Sequence, residues 1–207
     1  MKIVIKDILP FQERHFFFPV REKTDYIRLL VYGARQLLLE IETGETKVSS
    51  NMKLIVDKMS RLFFYKEKKY FSISFPFLTT LDDMNNVVEL TTYTGKRLDS
   101  QSISSVISII DSEHFKLNPS LIDFYIEPYG IESSGLMLLE EIFQFEPSYI
   151  RYDNDPENEK GKLHPLNHLD FNYSQYSTFK FGLPKEISSE YFENLQNIKT
   201  DCSFVID

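Results

Sequence analysis

A change of hydrophobic period within the first eighty residues restricts this chain more than any other feature. TDYIRLLVYGARQLLLEIETG, Thr24 to Gly44, repeats its apolar residues at helical spacing. Tyr26, Leu29, Leu30, Gly33, Leu37 and Ile41 make one stripe, and Ile27, Val31, Ala34 and Leu38 widen it, which predicts a well-buried helix. Thr24 or Asp25 is placed to cap its start, and Gly44 follows its end. In YFSISF the period is two. Phe71, Ile73 and Phe75 alternate with Ser72 and Ser74 as in a half-buried strand, ended by Pro76.

The same two periods recur downstream. Met52, Ile55, Met59 and Leu62 predict a helix over Asn51–Phe64, with Ser49 or Ser50 as cap. Val87–Tyr93 reads as a strand and Asp99–Asp111 as a helix with Ile103, Val106, Ile107 and Ile110 on one face. Leu121–Glu127 alternates through Ile122, Phe124 and Ile126, and a helix follows from Ser133 or Ser134. Strands are expected over Ser148–Asp153, Asn167–Tyr173 and Thr178–Phe181, then a short helix over Ser188–Leu195 and a strand over Cys202–Val205. Interspersed helices and strands with short loops predict an α+β fold, a largely antiparallel sheet packed by about four to five helices. No linker or repeat divides residues 1–207, so one domain is expected, with its motif-bearing part at 149–195.

Composition narrows the function classes. With 42% hydrophobic residues the chain can build its own core without metal or disulfide. A net charge of −8 disfavours a broad nucleic-acid surface and leaves only a local strip, Lys66, Lys68 and Lys69. The single cysteine, Cys202, excludes an internal disulfide and a CxxC site. Lys6 and Asp7 interrupt the apolar start, so neither a signal peptide nor a membrane span is expected, and a cytoplasmic location is. GxxxxGK[ST], GxGxxG and GxSxG are all absent.

The densest chemistry lies in YIRYDNDPENEKGKLHPLNHLDFNYS, Tyr149 to Ser174. Alternation puts Ile150, Tyr152, Leu169, Phe171 and Tyr173 on one face, expected toward the core. It puts Arg151, Asp153, His168 and Asp170 on the other, if the strands pair across the loop Asn154–Lys162. His164, held extended by Pro165, is expected to lean over that polar face. Three readings follow. His164, His168, Asp153 and Asp170 offer nitrogen and oxygen ligands for a divalent metal such as Zn or Mn, with Arg151 stabilising a phosphate or oxyanion. Without metal, Asp170 or Asp153 can orient His168 for proton transfer. Alternatively Arg151 pairs with the aspartates and the histidines bond to backbone, bracing a hairpin. His15, beside FFF, reads as a packing histidine, and His114 as a helix C-terminal cap. Asp82 and Asp83 predict a turn, while Asp123 and Glu127 are candidates to approach the hairpin.

The order IRYD, acidic loop, HPLNHLDFNY, TFKFGLP and SSEYFENL resembles a family of uncharacterised bacterial proteins, domain of unknown function 2290. The resemblance spans Tyr149–Leu195 and carries Arg151, Asp153, His164, Pro165 and His168, with Asp170 matching loosely. It implies the context of a bacterial defence or toxin–antitoxin-like cassette and no particular activity. The leading expectation is a small cytoplasmic protein that uses the polar hairpin face to recognise a protein partner or to assemble with itself. A metal-dependent phosphodiesterase or nuclease, and an acidic inhibitor steered to a basic partner, are the alternatives.

Overall fold

The computed structural model describes residues 1–39, 48–58, 60–126, 133–176 and 179–204. The chain opens with β1 (Lys2–Ile8), a 3-10 turn (Glu13–His15) and α1 (Lys23–Leu38). A meander of β2 (Ser50–Val56), β3 (Arg61–Lys66) and β4 (Lys69–Ser74) follows, then β5 (Leu78–Leu81) and β6 (Val87–Thr91). Four helices come next, α2 (Ser100–Asp111), α3 (Glu113–Leu117), α4 (Ile122–Ile126) and α5 (Ser133–Phe143). β7 (Ile150–Asn154), β8 (Asn167–Phe171), β9 (Phe179–Gly182) and α6 (Ser189–Asn194) complete the described elements. The fold is α+β. Seven strands form one sheet in the order β1-β2-β3-β4-β7-β8-β9, with every neighbouring pair antiparallel. β5 and β6 form a separate two-stranded sheet.

Both faces of the large sheet are covered. On one, α1 lays Tyr26, Leu29, Leu30 and Leu37 against Leu62, Phe64, Phe71 and Ile73. Gly33 lets the helix approach this closely, since a Cβ there would lie 2.6 Å from the Leu62 side chain. On the other, Phe192 of α6 covers Phe63, Tyr152 and Leu169. Residues 62–64 are all buried because neighbours in the strand point into different cores.

This two-sided burial explains the main departure from the sequence reading. The helix expected over Asn51–Phe64 is instead β2, a turn and β3. Met52, Ile55 and Leu62 do recur at helical spacing, but Ser50, Met52 and Leu54 share a strand face. Short apolar runs satisfy both periods, and pairing with β1 and β4 selects the strand. The converse happens at Leu121–Glu127. Residues 122–126 form a short helix that buries Phe124 and exposes Ile122 and Ile126, which one helical turn also brings to one side. Glu127 lies outside the described residues, as do Ile41, Gly44 and Met59. Asp201–Phe204 is exposed and not a strand, with no pairing partner among the described residues, and Val205 lies outside them. The cap of α1 is Glu22, with Asp25 accepting from the Arg21 and Glu22 amides. Among the described residues no helix is long and apolar enough to cross a membrane.

Candidate functional site

β7 and β8 pair so that Arg151 faces Asp170 and Asp153 faces His168. Their four side chains therefore share one face. The flanking strands extend this into two rows. Phe71, Arg151, Asp170 and Lys180 cross β4, β7, β8 and β9 in line, and Lys69, Asp153, His168 and Gly182 form the next row. Because Arg151 lies opposite Phe71, the polar face is on the same side as the larger core, beyond its edge. The face expected toward the core, carrying Tyr152 and Leu169, packs into the smaller cluster under α6. Tyr173 leaves it altogether. Asn172 takes a positive φ of 60°, ending the alternation, and Tyr173 packs against Tyr149 and the larger core.

The network is densely connected around a buried centre, with Arg151 and Asp153 partly buried and Lys180 exposed. His168 and Asp170 are fully buried. Arg151 donates through Nη2 to Asp170 and pairs through Nε with Asp153 at 2.6 Å. Lys180 Nζ donates to Asp170 Oδ1 at 2.8 Å and lies 3.1 Å from His168 Nε2. His168 Nδ1 is 2.8 Å from the carbonyl oxygen of Pro165. A carbonyl only accepts, so Nδ1 carries the proton and Nε2 presents its lone pair to the Lys180 ammonium. Burial, reinforced by Lys180 and opposed by the Pro165 bond, lowers the His168 pKa, so the ring is neutral. Arg151 is held above its ordinary pKa: burial opposes its charge, but Tyr149, Asp153 and Asp170 outweigh it. Two cations thus face two carboxylates across a neutral imidazole.

The other histidines are not bonded into this network. His164 packs its ring edge-on against His168, centroids 4.7 Å apart, and points Nε2 toward Asp155 at 3.7 Å. Asp153, His168 and Asp170 bring ligand atoms within 4.8 Å of one another, and His164 is not part of that group. His15 packs on Tyr32. His114 follows the end of α2, as expected, but lies within the short α3, 3.3 Å from Asp123, so Asp123 serves that pair and not the hairpin. Asp82 turns the chain by accepting the Met84 and Asn86 amides. Lys66 and Lys69 flank the β3–β4 turn, a strand hairpin where a helix end was expected. Each lysine of that strip has a carboxylate partner: Glu13, Glu186 and Asp153.

The sequence reading missed Lys180 and Gly182. The signal was present: in FKFG, Lys180 alternates against Phe179 and Phe181, as Asp170 does against Leu169 and Phe171. Gly182 matters because a Cβ there would approach Pro165 Cγ to 2.8 Å and displace the loop that holds the His168 ring. On the opposite face, an apolar groove opens along the sheet edge, lined by Leu169, Phe171, Phe181, Leu183, Tyr191 and Phe204. Phe179 and Phe181 are 74% and 49% exposed there.

The Asp153–His168–Asp170 group has the chemistry of a Zn or Mn site: a neutral imidazole oriented by a backbone carbonyl, and two carboxylates. It also has a side-chain cation already bonded to two of its three members. No family model, curated protein or solved structure matches the chain.

Proposed function

We propose that this chain is a recognition or assembly protein, in which the charged network stiffens β7–β9 and the exposed sheet edge makes the contact. The supporting observation is the position of Lys180 Nζ, within hydrogen-bond distance of both His168 Nε2 and Asp170 Oδ1. The carboxylates are neutralised by Arg151 and Lys180, so the network is charge-balanced by its own side chains. The neighbouring aromatic edge is the kind of exposed apolar patch that marks interaction surfaces. The test is metal uptake by untagged protein. After incubation with Zn or Mn and desalting, this reading expects less than about a tenth of an equivalent by elemental analysis. A full equivalent, lost in His168→Ala, overturns it.

The second reading is a metal-dependent hydrolase. What favours it is the three-residue group itself, whose ligand atoms span no more than 4.8 Å. Asp153, His168 and Asp170 would hold the ion once Lys180 turned outward, and the metal would supply an activated water. Hydrolysis of a generic phosphodiester that depends on added Mn and vanishes in Asp170→Asn would support it over the first.

A further inference from the structure

We infer that β9 is the dimer seam: two copies of this chain pair antiparallel through Lys180 and Gly182, with Phe181 crossing the twofold axis. The inference rests on the recognition reading above and names its partner.

The hydrogen-bond pattern sets the geometry. The Leu183 amide donates to Asn167 O, which continues the β8–β9 register by one step. Bonding alternates along an antiparallel strand, so Phe179, Phe181 and Leu183 direct their backbone groups inward to β8. Lys180 and Gly182 direct theirs outward, into an edge with no neighbouring strand among the described residues. The opposite edge, β1, carries Lys2, Lys6 and Asp7, charges that blunt strand addition. β9 has one charge, and its ammonium is drawn back to Asp170 and His168.

Three twofold registers bring outward groups together, and two have a flaw. Lys180 opposite its own copy sets like charges across the seam. Gly182 opposite its own copy puts Lys180 against Pro184, which has no amide hydrogen. The third sets Lys180 opposite Gly182 in both directions and Phe181 opposite Phe181. It uses every outward group and creates no like-charge pair. It also places both apolar grooves on the same face of a continuous sheet, since Phe181 and Leu169 pair on the side of α6. Phe179, Phe181, Tyr191 and Phe204 are 74%, 49%, 45% and 86% exposed. At about 150–250 Å² for each aromatic side chain, those eight rings bring at most on the order of 1,000 Å² of exposed surface to the seam, the lower end of a specific interface.

The test is sedimentation velocity of the full chain together with a cysteine scan in a Cys202→Ser background. The pairing expects a species near twice 24.4 kDa at about 100 µM. Phe181→Cys should oxidise to a disulfide-linked dimer, because a non-hydrogen-bonded pair brings Cα atoms to about 4.5 Å. Phe179→Cys should not, because its counterpart lies four residues along at about 3.4 Å each. Phe181→Lys should dissociate the dimer, and its unfolding midpoint should fall most at protein concentrations where the parent chain is dimeric, because only there is the self-association lost, while loss of the Phe171 contact lowers it equally at every concentration. A monomer with no Phe181→Cys cross-link overturns the pairing, as does cross-linking that favours Phe179→Cys. If that monomer also takes up no metal, the recognition reading stands with a different partner. Stoichiometric metal lost in His168→Ala overturns the recognition reading whatever the oligomeric state.

Discussion

Asp170→Asn removes the charge at the centre of the network while keeping the side chain's size and one acceptor oxygen. Asp170 is fully buried, with Lys180 Nζ 2.8 Å away and Arg151 on its other oxygen. At an effective dielectric near 20, one such pair attracts by about 6 kcal/mol before desolvation. Desolvation of the carboxylate returns several kcal/mol of that, so the intact network contributes little net stability. Breaking it differs, because Asn leaves Arg151 and Lys180 with one remaining carboxylate, Asp153, and a surplus positive charge. Removal of one member of a buried pair costs about 3–5 kcal/mol. Arg151 and Lys180 are 22% and 30% exposed and can turn partly toward water, which places the loss at about 3 kcal/mol. Urea unfolding followed by circular dichroism measures it, with the slope unchanged if the transition stays two-state. Adding Lys180→Met removes the surplus cation, so the double variant should be more stable than the sum of the singles by about 1–2 kcal/mol. A loss below about 1 kcal/mol for Asp170→Asn, or strict additivity, would refute the network as the brace of this sheet.

Other outcomes follow from the same geometry. Because burial lowers the His168 pKa, the folded protein holds a neutral ring where the unfolded chain protonates near pH 6.5. Stability from this group is therefore full above that pH and falls as the solution is acidified below it. His168→Asn keeps a donor for Pro165 O and should flatten the fall in melting temperature between pH 7 and pH 5; an unchanged slope counts against the assignment. Phe192→Ala uncovers Phe63, Tyr152 and Leu169 and should cost about 3–5 kcal/mol in urea unfolding, while a loss under about 1 kcal/mol would mean α6 is not a true cover. Gly182→Ala should cost about 1–2 kcal/mol by displacing Pro165, and should shift the His168 ring resonances in NMR; unmoved resonances would separate Pro165 from the histidine.

Much of the hairpin was legible because a strand's side-chain period is two. Once Ile150–Asn154 and Asn167–Phe171 are strands joined by a polar loop, Arg151, Asp153, His168 and Asp170 must share a face. Alternation says nothing of what lies above each face. α6 folds back over Tyr152 and Leu169, while the larger core runs up to Arg151 through Phe71, so the charged face has a buried centre, His168 and Asp170, with Arg151 and Lys180 at its wetter margin. Asn51–Phe64 was misread for a related reason. A run apolar on both faces has no period that distinguishes helix from strand, and only pairing with β1 and β4 decides it.

The sequence by itself determined an α+β chain with a buried first helix, an antiparallel hairpin and a set of charged residues on one side of it, because local periodicity encodes those features. Only the tertiary structure brought Lys180 from a third strand into hydrogen bonds with His168 and Asp170, turned His164 Nε2 toward Asp155, and left β9 with no second neighbour among the described strands. Which strand lies beside which, and what covers each face, depends on contacts between distant segments that no local pattern specifies.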